Sequence, residues 1–406
     1  MRPLFAFAVL SSVLVSVGLA GPGPRSPGQY LSPPDSVTLF PFVDLAGDTA
    51  RQTIVDRDPN CYLGHPTTVL LEDNRTMLCV YPPGHGKGPI LLKRSPDAGL
   101  TWSDRLPVPD NWSTSLETPT LYRVTDAAGK KRLIVWSGCY PARLSVSEDD
   151  GDTWSPLTPV GDWGGIVVMS SLAPVRGQPG RFLAWFNDDG RFLQSHPQRT
   201  IPPTFAIYQV ASNDGGLTWS SPRAIASSTA LHLAEPGFVR SPDGQEIALL
   251  LREDSKQNLS QVIFSRDEGA TWSAPRPLPL PLLGDRHVAA YAPDGRLVVV
   301  FRDSNRGSPT NGDWLAWIGT YADLVDDRPG QYRVRLMHNT FGWDCGYSGL
   351  HVLPDGTFVA TGYGHWTAGE EPYIVTVRFQ LSELDPQVGR TEPPPRSIRT
   401  GTLQIL

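Results

Sequence analysis

Four copies of one eight-residue pattern, S-x-D-x-G-x-T-W, constrain the fold of this chain more than any other feature. The copies begin at Ser95, Ser147, Ser212 and Ser265, so their starts are 52, 65 and 53 residues apart. The Asp can close a turn by accepting backbone hydrogen bonds, and the Gly adopts a positive φ without steric cost. The Thr-Trp pair then restarts a strand with a large side chain to bury. Self-similarity at this spacing predicts a repeat architecture built from β-units.

Six units of one form follow each other between residues 37 and 385. Each unit has apolar strands that alternate with polar positions, separated by Asp-Gly or Pro-Asp-Gly turns. The first four units end in a copy of the repeated pattern, and the units that start near Arg286 and Tyr347 do not. Six units of about four strands predict a single-domain, all-β, six-bladed β-propeller. Val37–Leu45 is the strand that we expect to close the ring.

The two ends of the chain have a different composition. Residues 1–20 have the lone charge Arg2, a short apolar run and small residues before a cleavage point, which predicts a signal peptide. This run is too short to span a membrane, and no later run is long enough. We therefore expect a secreted, extracellular protein that does not bind membranes. Residues 21–36 predict a disordered Pro/Gly-rich lead-in and residues 386–406 a C-terminal tail, and sequons predict N-glycosylation at Asn74, Asn111 and Asn258.

Cysteine usage and charge narrow the functional classes. The four cysteines, Cys61, Cys79, Cys139 and Cys345, can form disulfides in an oxidising compartment or remain buried free thiols. Their spacing matches no zinc motif, and we expect neither a metal nor a cofactor. The oxygen-rich loop at residues 187–189 indicates either a calcium site or, more simply, a solvated loop. A net charge of −6 without a basic cluster argues against nucleic acid as a partner.

The propeller geometry selects candidate site residues. In this fold the starts of the innermost strands and the loops that leave the second strands surround the central axis. Several cations near one axis favour an anionic ligand, because arginine presents a planar fork to a carboxylate. The strand starts supply His65, Glu117, Glu235, Arg286, His287 and Tyr347. The loop exits supply His85, Lys87, Trp136, Tyr140, Arg143, Asn187, Asp188, Asp189, Arg252, Arg302, Asp303, Tyr363 and His365.

The repeated pattern is the Asp-box motif, and from Val37 to Arg378 the chain resembles the sialidase-like Asp-box (BNR repeat) β-propeller family. This resemblance implies that the boxes lie on outer turns, away from the active site. It also implies a Glu/Arg pair in blade four, a nucleophilic tyrosine at the start of the last blade and a substrate-binding arginine in blade five. The matching positions are Glu235 with Arg252 seventeen residues later, Tyr347 in CGYSGLHVL, and Arg302 in VVVFRDSN with Arg286 as the second choice.

The first unit departs from the family pattern. Where the family has an Arg-Ile-Pro triplet, this chain has Gly64-His65-Pro66. The family also carries an acid/base Asp in the loop after the second strand, whereas residues 81–90 here contain no acid and offer His85 and Lys87. Two histidines in place of an Arg and an Asp indicate a different acid/base arrangement.

The leading hypothesis is a secreted exo-glycosidase of sialidase type that hydrolyses a terminal acidic sugar. A phenol with a pKa of about 10 is a poor nucleophile until a carboxylate takes its proton, so Glu235 is expected to activate Tyr347. His85 is the expected general acid. Arg252 and Arg302 are expected to hold the sugar carboxylate, and the further substrate-binding candidates are His65, Arg286 and Lys87.

Two other functions stay open at this point. One is a polysaccharide lyase that acts on uronate by β-elimination, with His or Tyr as the base. The other is a propeller that binds acidic glycans without cleaving them. In each case the expected partner is an acidic oligosaccharide or glycoconjugate, and the expected state is a monomer. Two roles are open for three tryptophans, which form either a sugar-stacking platform or parts of the core: Trp136, Trp163 and Trp366.

Overall fold

The computed structural model describes residues 40–193 and 205–389. The predicted signal peptide, the lead-in and most of the predicted tail lie outside the described residues. Within the described part, the strands form six separate sheets. Before the first unit lie β1 (Phe42–Asp44) and β2 (Gln52–Asp56).

Blades one to three follow the order of the sequence units. Blade one is β3 (Thr67–Leu70), β4 (Met77–Tyr81) and β5 (Leu91–Ser95). Blade two is β6 (Thr120–Thr125), β7 (Lys131–Ser137), β8 (Arg143–Ser147) and β9 (Thr158–Pro159). Blade three is β10 (Ile166–Pro174), β11 (Phe182–Asp188), β12 (Ala206–Ser212) and β13 (Arg223–Ser227).

Blades four to six complete the circle. Blade four is β14 (Leu233–Arg240), β15 (Ile247–Glu253), β16 (Gln261–Ser265) and β17 (Arg276–Pro277). Blade five is β18 (Gly284–Tyr291), β19 (Leu297–Asp303), β20 (Trp314–Gly319) and β21 (Tyr332–Met337). Blade six is β22 (Cys345–Val352), β23 (Phe358–Gly364) and β24 (Tyr373–Phe379). The helical segments are the short α-helices Tyr321–Val325 and Leu381–Leu384 and the 3-10 turns Thr49–Arg51, Asp110–Thr114, Leu280–Leu282 and Asp385–Gln387.

The six sheets close into a ring. The innermost strands β3, β6, β10, β14, β18 and β22 each contact the innermost strands of both neighbouring blades. Neighbouring strands within the blades pair antiparallel, and buried apolar side chains fill the space between blades. The predicted all-β, six-bladed β-propeller is therefore confirmed.

The strand that closes the ring differs from the prediction. Within the predicted segment, β1 pairs in parallel with β21 and becomes a fifth strand on the outside of blade five. The outer strand of blade six is instead β2, which pairs antiparallel with β24. Both segments are short and follow the lead-in. Their alternation of apolar and polar residues predicts a strand but does not specify which sheet edge that strand joins.

Each Asp box is a turn held by the same hydrogen bonds, between the third strand of a blade and the segment that follows it. In blade three the Thr218 backbone N–H and hydroxyl donate to the two carboxylate oxygens of Asp214 at 3.0 and 2.6 Å. The Gly216 N–H donates to the Ser212 hydroxyl at 2.9 Å, and Gly216 has a φ of 86°. A Cβ on this glycine would lie 3.1 Å from Val124 of blade two. The box therefore needs glycine for both its turn and its contact with the previous blade.

Asp214→Ala is expected to lower the free energy of unfolding by about 1–2 kcal/mol, because it leaves the box turn without its central acceptor. Equilibrium urea unfolding would measure the difference. Asp104→Ala is a suitable control, since Asp104 is exposed and its side chain accepts no hydrogen bond from the residues described here. Equal unfolding free energies for the two variants would contradict this assignment.

The structure decides between the two states that the sequence left open for the cysteines. All four cysteines are free thiols, so the disulfide alternative is not realised in this structure. In the part of the chain that the structure describes, no helix combines the length and the apolar character needed to cross a membrane.

Candidate active site

Five blades begin with a residue whose backbone is left-handed and whose side chain is buried near the axis. The φ angles are 52° at His65, 51° at Val167, 49° at Glu235, 54° at Arg286 and 43° at Tyr347. Bulky residues rarely adopt this conformation, which persists only where the surrounding structure imposes it. In β10, β14, β18 and β22 the pairing register with the second strand shifts at this point. These bulges turn the first side chains of neighbouring blades towards one another.

Tyr347, Glu235 and Arg252 form one hydrogen-bonded chain at the axis. The Tyr347 hydroxyl donates a very short hydrogen bond to Glu235 Oε1. Arg252 Nη1 donates to the same oxygen at 2.7 Å, and Glu235 Oε2 is buried without a hydrogen-bond partner among the described residues. The Asn187 side chain fixes the Glu235 backbone by accepting its N–H at 3.0 Å. Three residues selected from the sequence thus come together across blades four and six.

The charges of this chain keep the proton on the tyrosine and the negative charge on the glutamate. Burial and the Glu235 charge raise the pKa of Tyr347 well above its usual value. Burial also favours a neutral Glu235, but the Arg252 charge, the Tyr347 hydrogen bond and the Arg286 charge together outweigh it and lower the pKa of that carboxyl. At rest the pair is therefore a neutral phenol beside a carboxylate that is ready to accept its proton.

Arg252 and Arg302 do not offer an open carboxylate clamp, which differs from the sequence-based expectation. Both are paired with Asp285, a fully buried residue at the start of blade five. Arg302 donates to Asp285 Oδ2 from Nη2 at 2.8 Å and from Nε at 3.0 Å. Arg252 Nε lies 3.4 Å from Oδ1, and Lys256 Nζ donates a very short hydrogen bond to the same oxygen. We call Arg252, Lys256 and Arg302 with Asp285 the cation cluster.

The cation cluster strongly perturbs its members. Burial favours a neutral Asp285, but the charges of Arg252, Lys256 and Arg302 overcome it and hold the pKa of this carboxyl far below its usual range. Burial and the Arg252 charge lower the pKa of Lys256 to about 8. Asp285 therefore neutralises part of a dense positive charge inside the protein.

Arg286, which follows Asp285 in the sequence, is a buried cation that does not belong to the cation cluster. It is 3% exposed, and its guanidinium carbon lies 5.5 Å from the centre of the Tyr347 ring. It forms no ion pair with any carboxylate of the described residues, in contrast to Arg252 and Arg302. Its guanidinium interacts with the neutral Tyr122 phenol, and its Nε has no hydrogen-bond partner in the described part of the chain.

A second network joins blades one and six beside Tyr347. Asp344 accepts hydrogen bonds from the Tyr363 hydroxyl at 2.6 Å and from the Tyr62 hydroxyl at 2.8 Å. His85 Nδ1 lies 3.2 Å from Asp344 Oδ2. His65 Nε2 lies 3.1 Å from the Tyr363 oxygen, and the His65 ring packs edge-on against Tyr347 at 4.4 Å.

The hydrogen bonds assign the protons of both histidines. The Gly86 N–H donates to His65 Nδ1 at 3.2 Å, so His65 Nε2 carries the proton and donates to Tyr363. Burial lowers the pKa of His65 well below its usual value and keeps it neutral.

Burial favours a protonated Asp344, but the His85 hydrogen bond and charge hold the pKa of that carboxyl well below its usual range. His85 Nδ1 lies 2.9 Å from the Tyr62 hydroxyl, which itself donates to Asp344, and 3.2 Å from Asp344 Oδ2. It therefore donates its proton to these two oxygens, and His85 Nε2 is left for a ligand.

The same network contains three metal-ligand types. One ligand atom each from His65, His85 and Asp344 lies within 4.8 Å of the other two. A divalent transition metal could bind at this position, since histidine and carboxylate are suitable ligands. Both ring nitrogens of His65, Nδ1 of His85 and both carboxylate oxygens of Asp344 already have hydrogen-bond partners. The arrangement therefore does not require a metal.

Glu117 is a buried acid on the same axis. Burial raises its pKa to about 8, and its Oε2 accepts the Val168 N–H at 3.3 Å. Its carboxyl group is therefore protonated at neutral pH. It extends the site towards blades two and three.

Glu117→Gln is expected to raise the free energy of unfolding at pH 7 by about 3–4 kcal/mol. The unfolded carboxyl titrates near pH 4.3, and burial raises the folded pKa to about 8. Folding therefore takes up a proton in this window, and wild-type stability falls as the pH rises from about 4.3 to about 8. Urea unfolding between pH 5 and 9 measures the slope, with Glu371→Gln as an exposed control. Parallel curves for wild type and Glu117→Gln would contradict the assignment.

Several sequence candidates lie outside the site. The rings of Trp136 and Trp163 are buried in one core cluster and that of Trp366 in another, so these three tryptophans form no platform. His287 bonds a backbone carbonyl and stacks on Phe301. Lys87 is exposed and forms no ion pair with a described residue. The remaining candidates make structural contacts within their own blades or loops, namely Tyr140, Arg143, Asp188, Asp189, Asp303 and His365.

The glycosylation candidates differ in accessibility. Asn74 is exposed on the turn between β3 and β4. The Asn111 side chain is half-buried and makes two 2.9 Å hydrogen bonds with the Leu157 backbone. Asn258 is half-buried beside the loop that follows β15. Asn74 is therefore the most accessible of the three sequons.

Sequence reasoning missed several residues of the site, among them Tyr62, which lies before the first unit. Asp285 directly precedes Arg286, and Asp344 lies three residues before Tyr347, so proximity to a selected residue was the available signal. Lys256 lies in the loop after Arg252 and carried no signal of its own. Trp343 is 43% exposed, and its ring centre lies 5.9 Å from the Arg302 guanidinium carbon. This side chain is the exposed aromatic surface beside the site.

The ring is shared with solved propellers of low sequence identity. A protein of unknown function from Dyadobacter fermentans has a TM-score of 0.63 at 14% identity, over 81% of this chain and 97% of that chain. The NanB sialidase of Streptococcus pneumoniae has a TM-score of 0.57 at 12% identity, over 82% of this chain and 71% of that chain. A leech intramolecular trans-sialidase has a TM-score of 0.54 at 16% identity, over 81% and 69%. These likenesses show the fold, and no curated protein sequence matches the chain.

A family model describes most of the ring. Residues 131–360 match the BNR repeat-like domain, from β7 in blade two to β23 in blade six. The matched region includes the boxes that begin at Ser147, Ser212 and Ser265. Because the match covers more than half of the chain, the protein belongs to the BNR repeat-like domain family.

Proposed function

We propose that this protein is an exo-glycosidase of the sialidase mechanistic type, which hydrolyses a terminal acidic sugar with Tyr347 as its nucleophile. The observation that carries the proposal is the very short hydrogen bond from the buried Tyr347 hydroxyl to Glu235, which Arg252 keeps charged. A tyrosine is a competent nucleophile only beside a base that removes its proton. Arg286 lies next to the Tyr347 ring and forms no ion pair with a described carboxylate, which supports an acidic substrate.

The first step forms one bond and breaks another. Tyr347 Oη attacks the anomeric carbon while its proton moves to Glu235 Oε1, and the glycosidic oxygen leaves with the Nε2 proton of a doubly protonated His85, which becomes neutral. Glu235 needs no movement, since the Tyr347 hydroxyl already donates to its Oε1. The product of this step is a glycosyl-tyrosine and a free alcohol.

His85 is the proposed acid and base because its Nδ1 is hydrogen-bonded within the protein, whereas its Nε2 can exchange a proton with the substrate. Its side chain is 64% exposed, while Nδ1 is oriented by Asp344. In the second step the neutral His85 takes a proton from water, whose oxygen attacks the anomeric carbon and displaces Tyr347. The phenol regains its proton from Glu235. Two displacements give net retention of configuration.

A panel of fluorogenic glycosides tests the proposal on the full-length protein. We expect release from at least one acidic glycoside, with a product whose first-formed anomer, followed by NMR, retains the configuration of the substrate. A slow fluoroglycoside of the same sugar should label Tyr347, as read from the mass of its peptide. Binding of acidic glycans without turnover would instead support a non-catalytic glycan-binding propeller.

A second candidate, β-elimination on a uronate polymer, is favoured by one arrangement. Tyr347 and His65 lie beside Arg286, and elimination needs a base near a cation that neutralises the substrate carboxylate. Hydrolysis cannot give an unsaturated sugar. An ultraviolet-absorbing product from a uronate polymer would therefore replace the hydrolase proposal with this one.

The setting of the activity is also a proposal. A signal peptide at residues 1–20 and the sequon at Asn74 support secretion into an extracellular space that contains glycans. We propose that the protein acts there as a monomer. Mass analysis of the protein secreted from a eukaryotic host would test cleavage after Ala20 and glycosylation at Asn74, and light scattering would test the monomer.

A further inference from the structure

The cation cluster is closed to a second carboxylate. Asp285 is fully buried, and its backbone pairs with Arg302 in the register of β18 and β19. Its two oxygens already accept from Arg302 and Lys256 and lie beside Arg252. Another anion in the cluster would meet Asp285 at short range in a low dielectric, where like charges repel strongly. A substrate carboxylate therefore has to bind elsewhere.

Because the cation cluster admits no second carboxylate, it disfavours the binding of 2-ketosidic acids. In a 2-ketosidic acid the carboxylate is attached to the carbon that Tyr347 attacks, so it must lie close to the Tyr347 hydroxyl. The cation nearest this hydroxyl is Arg252, which shares Glu235 Oε1 with it. Arg252 Nη1 and Nη2 are paired with Glu235 and Asp254. Its Nε makes no hydrogen bond among the described residues but lies 3.4 Å from Asp285, so a carboxylate at this edge would meet that of Asp285.

Arg286 is the cation that remains available. Its guanidinium lies over the Tyr347 ring face, 5.5 Å from the ring centre, and has no carboxylate partner in the described structure. Its Nε is buried without a hydrogen-bond partner among the described residues, and the negative Glu235 acts on Arg286 without forming an ion pair with it. A ligand carboxylate would supply the direct partner that this buried cation lacks. The left-handed backbone at Arg286 holds the side chain in this position.

We propose, on the basis of the proposed function, that the substrate is a hexuronide whose ring carboxylate pairs with Arg286, while Asp285 excludes 2-ketosidic acids. A hexuronide carries its carboxylate on C5, which is separated from the anomeric carbon by the ring oxygen, and not on the anomeric carbon itself. Its acidic group can therefore lie away from the Tyr347 hydroxyl, which suits a cation placed over the ring of this tyrosine. Asp285 and Arg286, two adjacent residues, together set the specificity.

Matched substrates test this specificity. Fluorogenic glycosides with one leaving group should include both anomers of glucuronide and galacturonide, the corresponding neutral hexosides, and a sialoside. We expect turnover of a uronide, with kcat/KM at least about 100-fold above that of its neutral hexoside. The sialoside should not be hydrolysed. Faster hydrolysis of the sialoside than of every uronide would overturn the inference and leave the proposed glycosidase function intact.

Calorimetry gives a readout that does not depend on turnover. Free glucuronate and galacturonate are titrated into wild type, Arg286→Lys, Arg286→Gln and the control Arg266→Gln, whose side chain is 81% exposed on an outer turn. We expect Arg286→Gln to weaken uronate binding by about 10- to 100-fold, Arg286→Lys to weaken it less, and the control to bind as wild type. Circular dichroism checks that each variant is folded.

The outcomes separate this inference from the proposed function. Uronate binding that is unchanged in a folded Arg286→Gln variant would overturn the inference even if Tyr347 proves catalytic. Wild type that binds neither uronate would overturn it as well. Loss of uronate binding in Arg286→Gln, together with no hydrolysis of any glycoside, would support the Arg286 site and reject the proposed hydrolysis.

Discussion

Tyr347→Phe is expected to lower kcat/KM by about 1000-fold or more on any glycoside that the wild type hydrolyses. The change removes one oxygen, which is both the nucleophile and the donor to Glu235. The phenylalanine ring keeps the packing against His65, whose ring centre lies 4.4 Å from that of Tyr347. The structure should therefore be retained while the chemistry is lost. Initial rates on the fluorogenic panel measure the effect.

The chain offers a matched control for this substitution. The hydroxyl of Tyr321, a buried tyrosine in the short helix after β20, donates to Glu246 at 2.9 Å. Tyr321→Phe thus breaks the same kind of tyrosine–glutamate bond away from the axis, and we expect wild-type kcat/KM. Comparable activity of Tyr347→Phe and wild type would reject Tyr347 as the nucleophile. A folded Tyr347→Phe variant that binds sugar without turnover would support it.

The repeated turn made the fold predictable. Each box is a local structure, in which Asp214, Gly216 and Thr218 interact within a few residues. A local pattern can be recognised in a sequence, and its spacing then gives the blades. Ring closure depends instead on β2 meeting β24, more than 300 residues away along the chain. No local pattern records this choice between sheet edges.

The difference between local patterns and contacts of distant segments also explains how much of the site could be predicted. Glu235 and Tyr347 were selected because each begins a blade, and blade starts follow from the repeat. The partners of the selected residues follow from contacts between blades, which a single sequence does not report. Asp285 shows the consequence: the arginines predicted to be free for a ligand are paired with a carboxylate of the protein. Asp344 likewise orients His85 from 259 residues away.

Asp285→Asn is expected to lower the free energy of unfolding at pH 7 by about 3–5 kcal/mol. The amide keeps the shape of the side chain and removes its charge, which leaves three buried cations, Arg252, Lys256 and Arg302, without their shared counter-ion. Asp152→Asn is the control, because Asp152 is 70% exposed and paired with Arg94 on the surface. Such a pair contributes about 0–1 kcal/mol. Equilibrium unfolding in urea measures both variants.

The pH dependence of this stability difference tests whether the negative charge of Asp285 is its cause. Arg252, Lys256 and Arg302 outweigh burial and hold the folded pKa of Asp285 far below its usual value, while the unfolded carboxyl titrates near pH 3.9. The stability that Asp285 supplies is therefore complete above about pH 4 and is lost as the pH falls further, by about 1.4 kcal/mol per unit. The difference between wild type and Asp285→Asn should accordingly be constant from pH 5 to 7 and shrink below pH 4. A difference that stays constant down to pH 2.5 would mean that Asp285 stabilises the ring through its shape, and the cation cluster would then not depend on its charge.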